Sequence, residues 1–406
     1  MLYFCAANFN TQMLANQTVV KTGSKKYARW ALGLWLSISI YCFIQSILRH
    51  RLNNYLIFEN TFFNLIGEKS LYNAYPTIHD DANHYGPIFG LFIAPFAMLP
   101  RWLGFMLWNI FNCVLLFWSI KSIKLPNKNL IYFIALPCLA SSMLSQQFNP
   151  ATAAFIIFTY TLRNKHNGFW SAFLIALGTM IKLYGIVGLA FFFFIKDKKS
   201  FITYLIMWFL ILFFLPMLVS SPTYIVQSYK EWSMSLAIKN ATNIGSLTND
   251  ISIMGFVRNL VARPISNTPF LIVGCLMFAL SYLNFSKYKD DRFQLLILAS
   301  VLIFPVLFSS GSEDCTYIVA IAGVGIWYLL SDKGVWRTIL LAAVILVSFD
   351  FPLMVFPDYT TQHPFAIKMI SLPYFLVWLK ILAATFKLRS APEVQLAADQ
   401  QKTVLL

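Results

Sequence analysis

The chain has 406 residues, of which 58% are hydrophobic and 12% are charged, and its formal net charge is +15 at pH 7. Soluble domains are about 45–50% apolar and about 25% charged, so this composition excludes an ordinary soluble protein. The basic residues lie in short clusters between apolar runs, which the positive-inside rule of membrane proteins explains better than nucleic-acid binding does. We therefore expect a polytopic membrane protein whose partners include membrane lipids and exclude nucleic acid.

Apolar runs of roughly 20 residues, the length that crosses a bilayer, recur between Trp30 and Leu388 without a long polar linker. They predict an all-α bundle of about twelve transmembrane helices, within a range of about ten to thirteen. Residues 1–29 are expected to form a cytoplasmic segment, 30–388 a single membrane domain and 389–406 a cytoplasmic tail. The six cysteines show no spacing typical of a disulfide framework or a zinc site.

The basic clusters also fix the direction of each crossing, because each cluster should face the cytoplasm. The predicted crossings are 30–48, 102–120, 129–147, 150–162, two short helices within 168–195, 201–219, 269–285, 292–308, 315–330, 336–354 and 371–388. Two long polar loops, about 50–85 and 220–268, then lie on the outer face. Residues 86–99 are too short to cross and contain Pro87 and Pro95, at which a helix would break. We expect a re-entrant or interfacial segment there.

Lys182 interrupts the apolar run from Phe169 to Ile195, and the parity of the crossings puts it at the outer boundary. A lysine at such a position is costly unless its side chain reaches the interface or meets an anion. Two interpretations remain open from the residues alone. The side chain either snorkels, or it binds a lipid phosphate at the membrane surface.

The densest polar stretch of the chain is 75–87, just before the proline-containing segment, and it holds the adjacent Asp80 and Asp81. A carboxylate beside a low-dielectric boundary is a candidate general base toward a sugar hydroxyl. The alternative is a solvated turn, which Asp-Asp and Gly-Pro also favour. His79 and His84 with the two aspartates give only a weak metal signal, and we expect no metal site.

Eight short motifs occur in order along the membrane domain: NYLIF at 54–58, LYNAYP at 71–76, YGPIF at 85–89, APFAMLP at 94–100, WN at 108–109, QFN at 147–149, KLYG at 182–185 and EDCTY at 313–317. Each motif is short, but together they resemble glycosyltransferase family 87. This is the polyprenyl-phosphate-mannose-dependent mannosyltransferase-like family of the GT-C fold. The resemblance implies a GT-C-like integral membrane enzyme.

By this resemblance, the enzyme moves a hexose, with mannose expected, from a polyprenyl-phosphate donor to a hydroxyl of a lipid or glycan acceptor. Transfer inverts the anomeric centre, uses a carboxylate base and needs no cofactor. It is expected on the non-cytoplasmic face of the plasma membrane, with Lys182 and Arg101 at the donor phosphate. The implied substrate-binding residues are His84, Tyr85, Gln146, Gln147, Asn149, Tyr184 and Glu313.

The identity of the base is affected by a departure from the family pattern. Many members carry an aspartate soon after the first span, where this chain has Asn53-Asn54. An amide cannot accept a proton as a base does. We expect the base elsewhere in the first outer loop, at Asp81 by preference, with Asp80 and Glu59 as the other candidates.

The leading alternative function is a membrane transporter or lipid flippase. Lys182 and Asp350 would then line a translocation path, and helix breaks are common at transport sites. The polar residues are concentrated in two outer loops rather than at mid-membrane, which favours the transferase.

Overall fold

The computed structural model describes residues 26–244, 246, 249–349 and 365–388, and within these ranges the regular structure is helical. Asp350, one of the residues of the transporter hypothesis, lies outside the described residues. The α-helices, in chain order, are α1 Lys26–Leu48, α2 Asn53–Ile66, α3 Ile88–Ala97, α4 Arg101–Ser122, α5 Asn129–Ile134, α6 Leu136–Leu144, α7 Asn149–Thr161, α8 Phe169–Ile181, α9 Lys198–Phe214, α10 Pro222–Ile244, α11 Ile253–Val261, α12 Asn267–Leu280, α13 Asp291–Leu307, α14 Tyr317–Leu330, α15 Val335–Ser348, α16 Phe365–Lys368 and α17 Ser371–Lys387.

Four helices in the described part of the chain are long and apolar enough to cross a membrane: Lys26–Leu48, Arg101–Ser122, Lys198–Leu218 and Ala366–Lys387. Other apolar helices are shorter, such as Val335–Ser348 with 14 residues. At 1.5 Å per residue, a helix of that length spans about 21 Å, less than the roughly 30 Å of a hydrocarbon core. The structure therefore supports an all-helical membrane protein, whereas the number of about twelve crossings stays a prediction.

Most predicted crossings coincide with helices, but the segments between them differ from expectation. The predicted outer loop 50–85 contains α2, and the loop 220–268 contains the 23-residue α10 as well as α11. The crossing predicted at 129–147 is split at Ala135 into α5 and α6. Sequence composition marks these segments as polar or apolar, but it does not determine whether a polar segment is helical, because tertiary packing decides that.

The prolines of the predicted re-entrant segment behave differently from each other. Pro87 precedes α3 as its N-cap residue, consistent with a helix boundary, whereas Pro95 lies inside α3. The prediction that a helix breaks at Pro95 is therefore wrong. Pro95 is the third residue from the end of a 10-residue helix, so its missing N–H removes only one bond of the last turn.

The two largest of four apolar clusters among the described residues support the fold. One is rich in aromatic rings from α2, α3, α4 and the α6–α7 turn, and Trp108 is fully buried in it with ring centroids 5.7 Å from Phe58 and 6.0 Å from Phe148. These separations are in the range of favourable aromatic pairs. The other core is formed mainly by α13, α14 and α17, where Nε1 of Trp378 donates to Oγ of Ser300 at 2.8 Å. A cavity between the two cores is lined by Phe58 from the first and Phe308 from the second.

Candidate active site

The cavity has a volume of about 330 Å³ and is formed where the segment before α3, the turn after α8, helix α10 and the turn before α14 meet. Its lining brings together residues that are far apart in the sequence. The lining includes seven of the site residues that the sequence predicted: Asp81, His84, Tyr85, Gln147, Lys182, Tyr184 and Glu313.

The chain before α3 is fixed to its neighbours by backbone hydrogen bonds. The Gly86 N–H donates to the carbonyl of Ile181 at 3.0 Å, and Nε1 of Trp232 donates to the carbonyl of His84 at 2.9 Å. A Cβ atom at Gly86 would lie 2.0 Å from the carbonyl oxygen of Met180, so only glycine permits this approach. The loop that carries Asp81 and His84 is therefore attached to the end of α8.

Lys182 lies at the end of α8, where the chain turns into the 3₁₀ helix Leu183–Phe194. The sequence predicted two short helices within 168–195, and the structure has two helices there that meet at this lysine. Nζ of Lys182 donates to Oδ1 of Asn149 at 2.7 Å and lies 4.8 Å from the ring centroid of Tyr184. An amide and an aromatic face orient the ammonium group, and neither carries a negative charge that would pair with it.

Asp81 lies at the opening of the cavity, and its side chain is 53% exposed. Nζ of Lys239 donates to its Oδ2 at 3.4 Å, and Nε2 of His84 lies 4.0 Å from its Oδ1. The Ser235 hydroxyl donates to the carbonyl of Asn83 at 3.3 Å, so it accepts from Nδ1 of His84 at 2.9 Å. Nε2 of His84 is then the unprotonated nitrogen, a tautomer assigned from this hydrogen-bond pattern.

Nε2 of His84 is buried and has no hydrogen-bond partner among the described residues. Burial lowers the pKa of His84 to about 4, and the positive charge of Lys239 acts in the same direction. The ring is therefore neutral at pH 7. Two acceptors, Nε2 of His84 and Oδ1 of Asp81, face each other across 4.0 Å, an arrangement that suits one hydroxyl proton donor at the cavity.

Glu313 lies in the turn before α14, where its side chain and that of Thr316 form a reciprocal cap of the helix start. Burial raises the pKa of Glu313, and the charges of Lys182 and Lys239 oppose that rise. Two acidic residues and two lysines therefore share the cavity, which makes its interior polar.

The structure does not bring all predicted site residues to the cavity. Glu59 and Arg101 pair with each other, with Nη2 of Arg101 2.9 Å from Oε2 of Glu59, and neither lines the cavity. Asp80 is exposed, and its backbone N–H donates to Oδ1 of Asn53 at 2.7 Å. Gln146 is buried in the α6–α7 turn, where its Nε2 donates to the carbonyl of Arg51 at 2.8 Å.

The remaining predicted residues take indirect positions or contact each other. Asn149 does not line the cavity, but its Oδ1 accepts from Lys182, and its Nδ2 donates to the carbonyl of Cys315 at 3.2 Å. Tyr85 donates from its hydroxyl to Oε1 of Gln147 at 3.1 Å. The motifs QFN and KLYG, 33 residues apart at Asn149 and Lys182, therefore meet in space.

Sequence reasoning missed a set of cavity residues on α10 and at the start of α12: Lys239, Asn240, Asn243 and Asn267. One signal was present, because a lysine in a predicted outer loop is an exception to the positive-inside rule. Asn54, the second residue of the Asn53-Asn54 pair, also lines the cavity, as Asp81 does.

A comparison with known protein families agrees with the resemblance. The family model for glycosyltransferase family 87 matches residues 83–310, more than half of the chain, and this range includes His84, Lys182 and Lys239. The chain matches no curated protein sequence. With its long apolar helices and this match, the chain is a membrane protein that belongs to glycosyltransferase family 87.

Proposed function

We propose that the protein is a GT-C-like hexosyltransferase that moves a hexose, expected to be mannose, from a polyprenyl-phosphate donor to a hydroxyl of a lipid or glycan acceptor. The reaction occurs on the non-cytoplasmic face of the plasma membrane and inverts the anomeric centre. The proposal rests on one observation in a chain that belongs to a glycosyltransferase family: a carboxylate, a neutral histidine and two lysines line the same cavity.

The chemistry is a single displacement at the anomeric carbon. Asp81 takes the proton of the acceptor hydroxyl while the hydroxyl oxygen of the acceptor forms a bond to the anomeric carbon. At the same time, the bond from that carbon to the phosphate oxygen breaks. The electron pair of the broken bond leaves with the polyprenyl phosphate. The unprotonated Nε2 of His84 lies 4.0 Å from the carboxylate oxygen and accepts the same hydroxyl proton, so it is a second acceptor beside the base.

Asp81 is preferred over the other two candidate bases for reasons of position. It lines the cavity, whereas the carboxylate of Glu59 is engaged by Arg101 and the exposed Asp80 lies outside the lining. A general base must reach the proton that it takes, either directly or through one water. Arg101 accordingly has no part at the donor phosphate in this proposal.

The leaving phosphate is bound by Lys182 and Lys239. Charge develops on the phosphate as the sugar departs, and fixed positive groups in a partly enclosed site stabilise that charge. A phosphate also competes with Asp81 for Lys239, which lies only 3.4 Å from the carboxylate. Donor binding would then free Asp81 from this partner, so the base becomes available only when the donor is present.

A direct test uses the purified protein in lipid vesicles with radiolabelled polyprenyl-phosphate hexoses and a cell lipid extract. The proposal expects label to leave the donor and appear in a new product with inverted anomeric configuration. Translocation of the intact donor across the bilayer without cleavage would instead show the alternative function, a transporter or flippase.

A further inference from the structure

One side of the cavity consists of neutral polar side chains rather than charges. We call this surface the amide wall and define it as Asn240 and Asn243 on α10, Asn267 at the start of α12 and Ser310 before α14. None of these residues belongs to a motif that carries the family resemblance.

The orientation of the amide wall is set by a buried ion pair behind it. Arg258 and Asp250 are 3% and 1% exposed, and Nη1 of the arginine donates to Oδ2 of the aspartate. Nη2 of Arg258 donates to Oδ1 of Asn267, and its Nε donates to the carbonyl of Ile265 at 2.6 Å. A guanidinium group only donates, so it forces the amide oxygen of Asn267 to face it and the amide nitrogen to face away.

The orientation of the Asn240 amide follows from that of Asn267. Nδ2 of Asn267 donates to Oδ1 of Asn240 at 2.6 Å and to Oγ of Ser310 at 3.2 Å, and Oγ of Ser310 donates to the same Oδ1 at 2.6 Å. The oxygen of Asn240 is therefore fully used as an acceptor. Its amide nitrogen, with two N–H groups, has no acceptor among the described residues, although Asn240 lines the cavity.

We propose that the amide wall, through the free N–H groups of Asn240, recognises the hydroxyls of a sugar ring bound in the cavity. This inference rests on the proposed function and names the part of a substrate that the wall would bind. Amides and hydroxyls offer both donors and acceptors, as sugar hydroxyls require, whereas a phosphate needs only donors and already has two lysines. Arg258 acts as a positioning residue, because it orients Asn240 through Asn267.

The sugar ring comes either from the donor or from a glycan acceptor, and deoxy analogues of each distinguish the two sources. In the wild type, a substrate analogue that lacks the ring hydroxyl bound by Asn240 leaves the N–H groups of the Asn240 amide unpaired. This costs about 1–3 kcal/mol, or roughly 5–150-fold in kcat/KM. Two series of analogues are used, one with single hydroxyls removed from the donor sugar and one with hydroxyls removed from the acceptor sugar.

The decisive variant is Asn240→Asp, which keeps the oxygen acceptor for Asn267 and Ser310 and removes the N–H donors. Asn240→Leu is a second variant without the added charge, and Thr242→Val, exposed on the same helix and outside the cavity lining, is the matched control. Because each analogue is compared with its parent in the same variant, a general loss of rate cancels.

We expect one deoxy analogue to have a lower kcat/KM than its parent substrate in the wild type and in Thr242→Val. In both Asn240 variants, the kcat/KM of that analogue should lie within about twofold of that of its parent. The series to which this analogue belongs identifies the donor or the acceptor as the source. Equal penalties in all proteins, for every analogue of both series, would overturn the inference while leaving the proposed function intact. A wild type that transfers no sugar from any polyprenyl-phosphate donor would overturn the proposed function, and the inference with it.

Discussion

Replacing Lys182 with methionine tests whether this lysine binds the donor phosphate. The side chain is held by Oδ1 of Asn149 at 2.7 Å and by the ring of Tyr184 at 4.8 Å, so its charge is oriented before the donor arrives. Loss of one such preorganised group costs about 10²–10³-fold in rate, or roughly 2.7–4 kcal/mol. Lys239 remains in the cavity and shares the phosphate, so we expect the lower end, about 10²-fold in kcat/KM.

The assay measures initial rates with a radiolabelled donor, together with donor affinity from binding of a fluorescent polyprenyl phosphate. Lys230→Met is the matched control, because Lys230 is an exposed lysine on α10 outside the cavity lining. Expression level and melting temperature exclude misfolding as the cause. If Lys182→Met has the same kcat/KM and donor affinity as Lys230→Met, the lysine only snorkels and the reasoning is refuted.

Three further predictions concern topology, pH and packing. A cysteine at exposed Thr77 should react with an impermeant reagent from outside the cell, and one at exposed Ser286 only after permeabilisation; the reverse would put the cavity on the cytoplasmic side. Burial raises the pKa of Glu313 above its ordinary value of 4.5, so its carboxylate becomes protonated at a higher pH than an exposed glutamate as the pH falls. The acid limb of the kcat/KM profile should therefore shift to lower pH in Glu313→Gln, in which Asp81 remains the base, and an unchanged limb would exclude Glu313 as a contributor. Gly185→Ala should lower both activity and melting temperature, since a Cβ there would lie 2.2 Å from the backbone nitrogen of Thr179; a stable, active variant would contradict this packing.

The turn at Lys182 could be predicted because a single charge in a long apolar run is visible without any tertiary information. Its partner Asn149 was recognised only through the family motif, since their contact joins helices that are separate in sequence. The pairing of Glu59 with Arg101 was not predictable for the same reason. Pattern reasoning assigns charges to a face of the membrane, but it does not say which charges neutralise each other.

The amide wall was missed because its residues lie in a segment that composition marks as a polar loop. The 23-residue helix α10 has little amphipathic pattern, and it is the helical geometry that brings Lys239, Asn240 and Asn243 to the same cavity. The number of membrane crossings could also not be predicted from the sequence. Helices as short as the 13-residue α7 show no length signal that separates a full crossing from a buried half-helix.

In the proposed mechanism, Asp81 is the base of the glycosyl transfer. The most direct measurement is single-turnover transfer by Asp81→Asn beside Asp80→Asn, the same change one residue away at an exposed site outside the cavity lining. Asparagine keeps the shape of the side chain and removes its basicity, and loss of a general base costs about 10²–10⁴-fold. We predict a loss of that size in Asp81→Asn with donor binding retained, and nearly full turnover in Asp80→Asn. Nearly full turnover in Asp81→Asn would contradict this role, and a matching loss in Glu59→Gln would move the base to α2.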